Sequence, residues 1–290
     1  MFSGSYVAIV TPMLADGAVD FDAWERLLEF HVAGGTQGIV VGGTTGESAT
    51  LTDAELRDLV QRASRQLRGR ARLLAGAGTS STAATVERAA WIGDLGVDGL
   101  LVVTPAYNKP TQEGLYQHYK AVAAASPVPV MLYNVPGRTA VDMLPQTVAR
   151  LAQLPRVVAL KEAVADLGRI RELVVACGPG FDILSGADAT AREAVLAGAP
   201  GVVSVTANVA PRRVSEVMAA ALAGKGAEAG QGDALLAALH ERLFLEANPI
   251  PVKWVMNQMG LIGPTLRLPL TPLSERFHER LREAMRAAGL

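Results

Sequence analysis

Residues 157–163 read "VVALKEA", a short run of apolar residues that ends on a lysine. The run is continuous rather than alternating, which is typical of a strand buried on both faces of a parallel sheet. The same pattern recurs along the chain. It predicts eight strands, over 6–12, 38–43, 73–78, 99–105, 128–134, 157–162, 181–186 and 201–205.

Amphipathic stretches separate these runs, with apolar residues recurring at three- and four-residue spacing, as in "FDAWERLLEFHVAGG" (21–35). They predict helices, and Thr52 and Asp188 stand where N-caps are expected. Eight strand–helix repeats favour a (β/α)₈ TIM barrel. The alternative is an open doubly wound sheet, which normally has a Gly-rich turn after its first strand, whereas this chain has "VTPMLADG" (10–17) there.

The last part of the chain lacks further strand patterns and predicts helices interrupted at Gly and Pro. We therefore expect a small C-terminal helical appendage. The predicted division is a (β/α)₈ barrel over 1–224, which carries the active site, and a helical domain over 225–290.

Composition limits the classes of function. The chain has 290 residues, half of them hydrophobic, and a formal net charge of -1, which predicts no nucleic-acid footprint and no membrane-seeking face. Cys177 is the only cysteine, so an intrachain disulfide and a cysteine-based zinc cluster are excluded. The four histidines show no metal-ligand spacing, and we expect no metal. With no apparent signal peptide at the start, we expect an unprocessed cytoplasmic protein.

In a (β/α)₈ enzyme the active site lies at the C-terminal ends of the strands, and Lys161 ends the sixth predicted strand. A lysine there can simply run its stem along apolar surface and extend its ammonium group to water. Alternatively, burial among apolar neighbours favours the neutral amine, which can attack a carbonyl and form a Schiff base. Such chemistry requires groups that move protons.

Other polar residues end neighbouring strands. Tyr133 could carry protons in the same pocket, although a tyrosine can also close the end of a barrel core. The "GGTTGE" turn (42–47), with Thr44 and Thr45, suits a small carboxylate but could be a plain glycine turn. Arg138 offers a planar fork for a second carboxylate, although a lone arginine in a loop is usually solvated or paired.

Eight motifs spread along the whole chain form a specific combination. They are "AIVTPM" (8–13), "VGGTTGESATL" (41–51), "VTPAYNKPTQEGLYQHYKA" (103–121), "LYNVPGRT" (132–139), "ALKEA" (159–163), "LSGAD" (184–188), "GVVSVTANVAP" (201–211) and "NPIPVKW" (248–254). With them the chain resembles the dihydrodipicolinate synthase family of class I pyruvate-dependent lyases and aldolases. The resemblance implies condensation of pyruvate with L-aspartate 4-semialdehyde in lysine and diaminopimelate biosynthesis, with no metal or organic cofactor.

The resemblance also implies catalytic roles. Lys161 would form the Schiff base with pyruvate and Tyr133 would donate and accept protons. Thr44 and Tyr107 would complete the proton relay. Tyr107 would reach into a neighbouring subunit's site, so the expected assembly is a homotetramer built as a dimer of dimers, with Tyr107 shared across the tight dimer.

Four further residues match the family's substrate-binding positions. Thr45 would hold the pyruvate carboxylate, Val203 would bind pyruvate through its backbone, and Gly186 would keep room in the pocket. Arg138 would bind the carboxylate of the semialdehyde. Sister enzymes such as N-acetylneuraminate lyase and 2-keto-3-deoxy-sugar aldolases share the lysine and tyrosine but usually lack this arginine, so Arg138 favours the synthase.

Two alternatives therefore stay open at the level of sequence, a sister aldolase and, more remotely, a non-catalytic barrel that binds pyruvate. The chain also departs from the family pattern in ways that concern regulation. Ala106 replaces the first of two adjacent tyrosines, and lysine-sensitive relatives carry an acidic residue at Ala84 and a polar one at Leu56. An apolar wall cannot pair with ammonium groups, so the sequence predicts weak feedback inhibition by lysine.

Overall fold

The computed structural model describes all residues, 1–290, and its eight parallel strands form a closed barrel in chain order. The barrel prediction is confirmed, and the open sheet is wrong. The strands are β1 (Gly4–Ala8), β2 (Gly38–Val41), β3 (Arg72–Gly76), β4 (Gly99–Val103), β5 (Val130–Asn134), β6 (Val157–Glu162), β7 (Asp182–Ser185) and β8 (Gly201–Ser204).

Helices follow the strands and surround the barrel. Those associated with the barrel are α1 (Phe21–Ala33), α2 (Asp53–Leu67), α3 (Thr82–Gly93), α4 (Gln112–Ala125), α5 (Pro136–Thr139), α6 (Pro145–Leu151), α7 (Leu167–Cys177), α8 (Ala191–Leu196) and α9 (Pro211–Leu222). The C-terminal helices are α10 (Gly226–Ala234), α11 (Ala237–Arg242), α12 (Ile250–Gln258) and α13 (His278–Ala288). None of them is long and apolar enough to cross a membrane.

Burial on both faces explains why the strands are continuously apolar. Successive side chains of a strand point to opposite faces, so one set fills the barrel interior and the other meets the helices. The interior set includes Val40, Leu74 and Leu184, and the residues between them, such as Ile39, join the larger outer core. The inner set therefore forms a packed floor beneath the ends of the strands.

Closure between β1 and β8 depends on two glycines. Gly4 pairs with Gly201 in the parallel ladder, and a Cβ added at Gly201 would lie 2.1 Å from the carbonyl oxygen of Gly4. No side chain fits that space at Gly201, whereas a Cβ at Gly4 would meet the Gln37 side chain at 2.7 Å, so both positions exclude larger residues for different reasons.

The helix-cap predictions have different outcomes. Thr52 forms a complete capping box with Glu55, as the sequence predicts. Asp188 does not cap its own helix, because its carboxylate turns towards the end of β8, where it accepts from the backbone N–H groups of Val205 and Thr206 at 2.9 and 3.2 Å. The N-cap prediction for Asp188 is therefore wrong.

The C-terminal helices pack onto the barrel, as expected for the appendage. The segment before and within α12 also reaches the end of the barrel where the strands finish, because Asn248 contacts the turn after β2 and the helix after β5. The division at residue 224 stays a prediction, but the appendage supplies contacts to the proposed active site.

Candidate active site

Lys161 and Tyr133 lie side by side at the C-terminal ends of β6 and β5. They are register partners in the ladder, and Lys161 Nζ is 4.3 Å from the centre of the Tyr133 ring. The two residues are 5% and 7% exposed, respectively. An ammonium group that snorkelled to water would be far more exposed, so the interpretation of Lys161 as a solvated surface lysine is not supported.

Gly186 and Val203 border the same space. A Cβ added at Gly186 would lie 3.0 Å from Lys161 Cε and 3.2 Å from the Cα of Ala163, so a side chain there would compete with the lysine for room. Val203 lies in β8, is fully buried, and belongs to the inner cluster that includes Tyr133. Three strands, and the residue that follows a fourth, thus contribute to one buried space.

The turn after β2 brings Thr44 and Thr45 to the mouth of the barrel. Thr44 and Tyr133 line the same small cavity. Thr45 is buried, and its Oγ1 accepts a hydrogen bond of 2.9 Å from the side-chain amide of Asn248. Gly42 opens the turn with a φ of 63°, a conformation that glycine adopts without steric cost.

Arg138 lies on α5, the short helix that follows β5, and its guanidinium donates a 3.0 Å hydrogen bond to the carbonyl oxygen of Asn248. Together with Thr44 and Asn248 it lines a cleft of about 540 Å³ above the strand ends. A cleft of this size accommodates a small substrate, and Arg138 presents to it a fork that matches a carboxylate.

Tyr107 is the exception among the predicted site residues. Its side chain is 93% exposed, and its backbone has a φ of 76°, which is unusual for a residue other than glycine. Within one chain it therefore does not join Lys161 and Tyr133. The loop holds it outward in a conformation that costs energy.

The structure also reveals polar residues that the sequence analysis left without a role. Glu47 and Lys253 form a buried ion pair between the turn after β2 and α12, and Asn248 bridges Thr45 and Arg138. Glu162, which follows Lys161, is fully buried and paired with Arg169. All of these residues except Arg169 lie in the quoted motifs, but nothing in their spacing identifies their partners.

Comparison with known proteins agrees with this geometry. The sequence profile of the dihydrodipicolinate synthetase family matches residues 1–288. This chain belongs to that family. The 4-hydroxy-tetrahydrodipicolinate synthase of Thioalkalivibrio sulfidiphilus is 54% identical over 290 residues, which cover 100% of this chain and 99% of the relative.

Solved structures give the same result. The chloride-inhibited dihydrodipicolinate synthase of Acinetobacter baumannii, complexed with pyruvate, matches with a TM-score of 0.98 and 49% identity over 100% of this chain and 99% of the other. A monomeric dihydrodipicolinate synthase variant matches with a TM-score of 0.97 and 42% identity over 100% and 97% of the two chains.

The reaction follows from this membership. The chain is a lyase-class enzyme that condenses pyruvate with L-aspartate 4-semialdehyde to give 4-hydroxy-tetrahydrodipicolinate in lysine and diaminopimelate biosynthesis. The sister-aldolase alternative is not favoured, since relatives that are 54% and 53% identical to this chain are 4-hydroxy-tetrahydrodipicolinate synthases.

Proposed function

We propose that Lys161 is the nucleophile of this condensation. Its amine attacks the keto carbon of pyruvate, and the resulting carbinolamine loses one water to give an iminium. The iminium withdraws electrons, so the pyruvate methyl group loses a proton and becomes an enamine carbon that attacks the semialdehyde carbonyl. The amino group of the adduct then attacks the iminium carbon, which closes the ring and releases Lys161. No metal or organic cofactor takes part.

The burial of Lys161 carries this proposal. Lys161 is only 5% exposed, and its amine lies 4.3 Å from the centre of the Tyr133 ring, inside the barrel end where pyruvate would have to enter. The phenol of the adjacent Tyr133 hands protons to and from the carbinolamine. Thr44 and the Tyr107 of a neighbouring subunit continue this relay.

The substrate-binding roles are assigned by position. Thr45 binds the pyruvate carboxylate, the Val203 backbone holds the other side of pyruvate, and Gly186 leaves room beside Lys161. Arg138 binds the carboxylate of the semialdehyde in the larger cleft. The cleft supports the role of Arg138, since Arg138 and Thr44 both line it, and the contact that a Cβ at Gly186 would make with Lys161 supports the role of Gly186.

Borohydride trapping tests the nucleophile. The protein is reduced with borohydride in the presence of pyruvate and then mapped by mass spectrometry. We expect one modification, on Lys161, and none in Lys161→Arg. Lys253→Arg is the matched control, since Lys253 is also buried but pairs with Glu47. Modification of another lysine, or none while pyruvate binds, would contradict the proposal.

We further propose that Tyr107 acts in the active site of a neighbouring subunit, within a homotetramer. Its exposure and its strained backbone support this role. A relative described as a monomeric variant makes the assembly of this chain a question for experiment. Since the reaction is biosynthetic, we place it in the cytoplasm, which cell fractionation tests.

Mixing two inactive variants tests the shared site. Lys161→Ala and Tyr107→Phe are unfolded together, refolded and assayed. A mixed dimer then has one site with both residues intact only if Tyr107 acts across the interface, so activity should reappear. Lys161→Ala mixed with Tyr133→Phe is the control, since both changes affect the same site and activity should stay absent. No recovery in the first mixture would contradict the proposal.

A further inference from the structure

The ladder between β5 and β6, which presents Tyr133 and Lys161, is irregular at its start. Val130 pairs with Val157, but the next residue, Met131, pairs with Ala159, so Val158 is an extra residue in β6. A bulge of this kind weakens pairing locally and changes the register of everything that follows. A one-residue slip would turn Lys161 away from the barrel interior.

The residues that follow Tyr133 and Lys161 pair with each other on the opposite face of the two strands. Asn134 follows Tyr133, Glu162 follows Lys161, and the two are register partners that are both fully buried. The Asn134 side-chain amide donates to both carboxylate oxygens of Glu162 at 3.1 Å. These hydrogen bonds therefore connect β5 and β6 on their outer faces, next to the two proposed catalytic residues.

An ion-pair network connects these hydrogen bonds to α7, outside the barrel. Arg169, on α7, donates from Nε to Glu162 at 2.8 Å and through both terminal nitrogens to Asp142 at 2.9 and 3.0 Å. Asp142 also accepts from Asn134 at 2.7 Å. Each member therefore has at least two partners, which is the arrangement in which a buried polar network rigidifies its surroundings.

Glu162 also fixes the backbone around the pocket. Its carboxylate accepts from the N–H of Val164 at 2.9 Å, and its carbonyl oxygen accepts from the N–H of Gly186 at 2.7 Å. Glu162 thus follows Lys161 in β6, contacts Asn134, which follows Tyr133 in β5, and binds the backbone of the glycine that borders the lysine.

We propose that Glu162 and Asn134, held by Arg169, are positioning residues that keep Lys161 aligned with Tyr133 and pyruvate. They contact no reacting atom, since they lie on the opposite face of the strands. This inference rests on the proposed role of Lys161 as nucleophile. It adds that the speed of imine formation depends on a network on the outer face of the barrel.

Charge makes the network sensitive to a conservative change. Burial raises the pKa of Glu162, while Arg169 and the hydrogen-bond donors of Val164 and Asn134 favour the ionised carboxylate. In Glu162→Gln the amide replaces one acceptor with a donor, so it cannot satisfy Asn134, Val164 and Arg169 together. The side-chain volume is nearly unchanged, which limits the effect on packing.

The decisive measurement is the rate of imine formation. Wild type and Glu162→Gln are mixed with saturating pyruvate and quenched with borohydride at increasing times, well below the unfolding temperature of each. We expect the trapping rate and kcat to fall by about 10-fold or more, because small misplacements of reacting groups cost rates of this order. KM for the semialdehyde should stay within about twofold, since Arg138 is not part of the network.

Asp233→Asn is the matched control. Asp233 is another part-buried carboxylate that pairs with an arginine, Arg192, and it also contacts His240 away from the pocket. We expect it to lower the unfolding temperature while leaving the trapping rate at the wild-type value. If Glu162→Gln folds poorly, Arg169→Lys provides a second variant, which keeps the positive charge but loses the fork to Asp142.

The outcomes separate the two proposals. If wild type traps on Lys161 and Glu162→Gln or Arg169→Lys loses stability without slowing the trapping, the network is only structural and this inference is wrong. If wild type itself does not trap on Lys161, the proposed nucleophile fails first. A slowed trapping rate in both variants, with Asp233→Asn unaffected, supports the positioning role.

Discussion

Lys253 and Glu47 form an ion pair in which each side chain is only 1% exposed. The pair joins α12 to the turn that carries Thr44 and Thr45. Lys253 Nζ also donates to the carbonyl oxygen of Thr11 at 3.0 Å, and the other carboxylate oxygen of Glu47 accepts from the backbone of Arg267 at 3.1 Å. The turn at the mouth of the barrel is therefore held in place by the C-terminal part of the chain.

Breaking this pair from one side should be costly. Lys253→Met leaves the Glu47 carboxylate buried without its cation, and we expect a loss of about 3–5 kcal/mol in the free energy of unfolding, measured by urea denaturation. The double variant Glu47→Gln/Lys253→Met removes both charges and should recover most of that loss. Equal stability of the single and double variants would show that the buried charge is not the cause.

A substitution at Asn248 allows the binding of the two substrates to be tested separately. Its side chain donates to Thr45, whereas its backbone carbonyl accepts from Arg138. Asn248→Ala removes only the first contact, so KM for pyruvate should rise by about 10-fold, corresponding to one lost hydrogen bond, with KM for the semialdehyde unchanged. Steady-state kinetics with each substrate varied in turn provide the measurement. A rise confined to the semialdehyde would contradict the assignment.

A substitution at Gly186 tests whether Lys161 needs the free space beside it. In Gly186→Ala the new methyl group would meet Lys161 Cε at 3.0 Å, and the backbone of Ala163 at 3.2 Å limits its retreat. We expect kcat to fall by about 100-fold, since displacement of the amine by a fraction of an ångström misaligns its attack. Gly137→Ala is the control, because nothing lies near a Cβ at that position, and it should retain activity.

His31 should contribute to acid sensitivity. It is fully buried in α1, neither ring nitrogen has a hydrogen-bond partner, and burial lowers its pKa to about 3. The unfolded chain takes up a proton below its ordinary pKa of about 6.5, so stability is fully present above that pH and is lost as pH falls towards the folded value. At pH 5 the cost is about 2 kcal/mol.

His31→Leu removes this titration at similar volume. Its urea midpoint should fall less than that of wild type between pH 6.5 and pH 5, while the two profiles run parallel above pH 7.5, where the imidazole is neutral in both states. Parallel profiles in the acid range would indicate that His31 does not titrate in this way.

Feedback by lysine should be weak. Leu56 is buried and lines the small cavity beside Thr44, where it offers no partner for an ammonium group. Activity measured at saturating substrates should therefore change little with added lysine. Leu56→His combined with Ala84→Glu restores polar groups at both positions and should increase the inhibition, whereas strong inhibition of the wild type would contradict the prediction.

The sequence predicts the fold well because the barrel is encoded locally. Each strand is a continuous apolar run, and the ends of eight such runs must meet at one rim, which brings Lys161 and Tyr133 together without any knowledge of their distance. The predicted strands differ from the observed ones mainly by extra residues assigned at their ends, for example 99–105 against Gly99–Val103, and the first also begins two residues late, at 6 instead of Gly4.

The sequence does not predict which distant residues form ion pairs or hydrogen bonds with each other. Glu47 and Lys253 are 206 residues apart, and neither carries a local signal that the other is its counter-ion. Asp188 illustrates the same limit at short range, since its spacing predicts an N-cap but its carboxylate instead binds the end of β8. Such choices depend on tertiary packing, which overrides local propensity.

The outward, strained setting of Tyr107 has a consequence for the living cell. If each catalytic centre borrows this phenol from a second molecule, activity per molecule depends on protein concentration and falls on dilution below the dissociation constant of the dimer. The specific activity of the enzyme then increases with its concentration in the cell. At low copy number the flux into lysine would fall more steeply than the number of polypeptides, with no inhibitor involved.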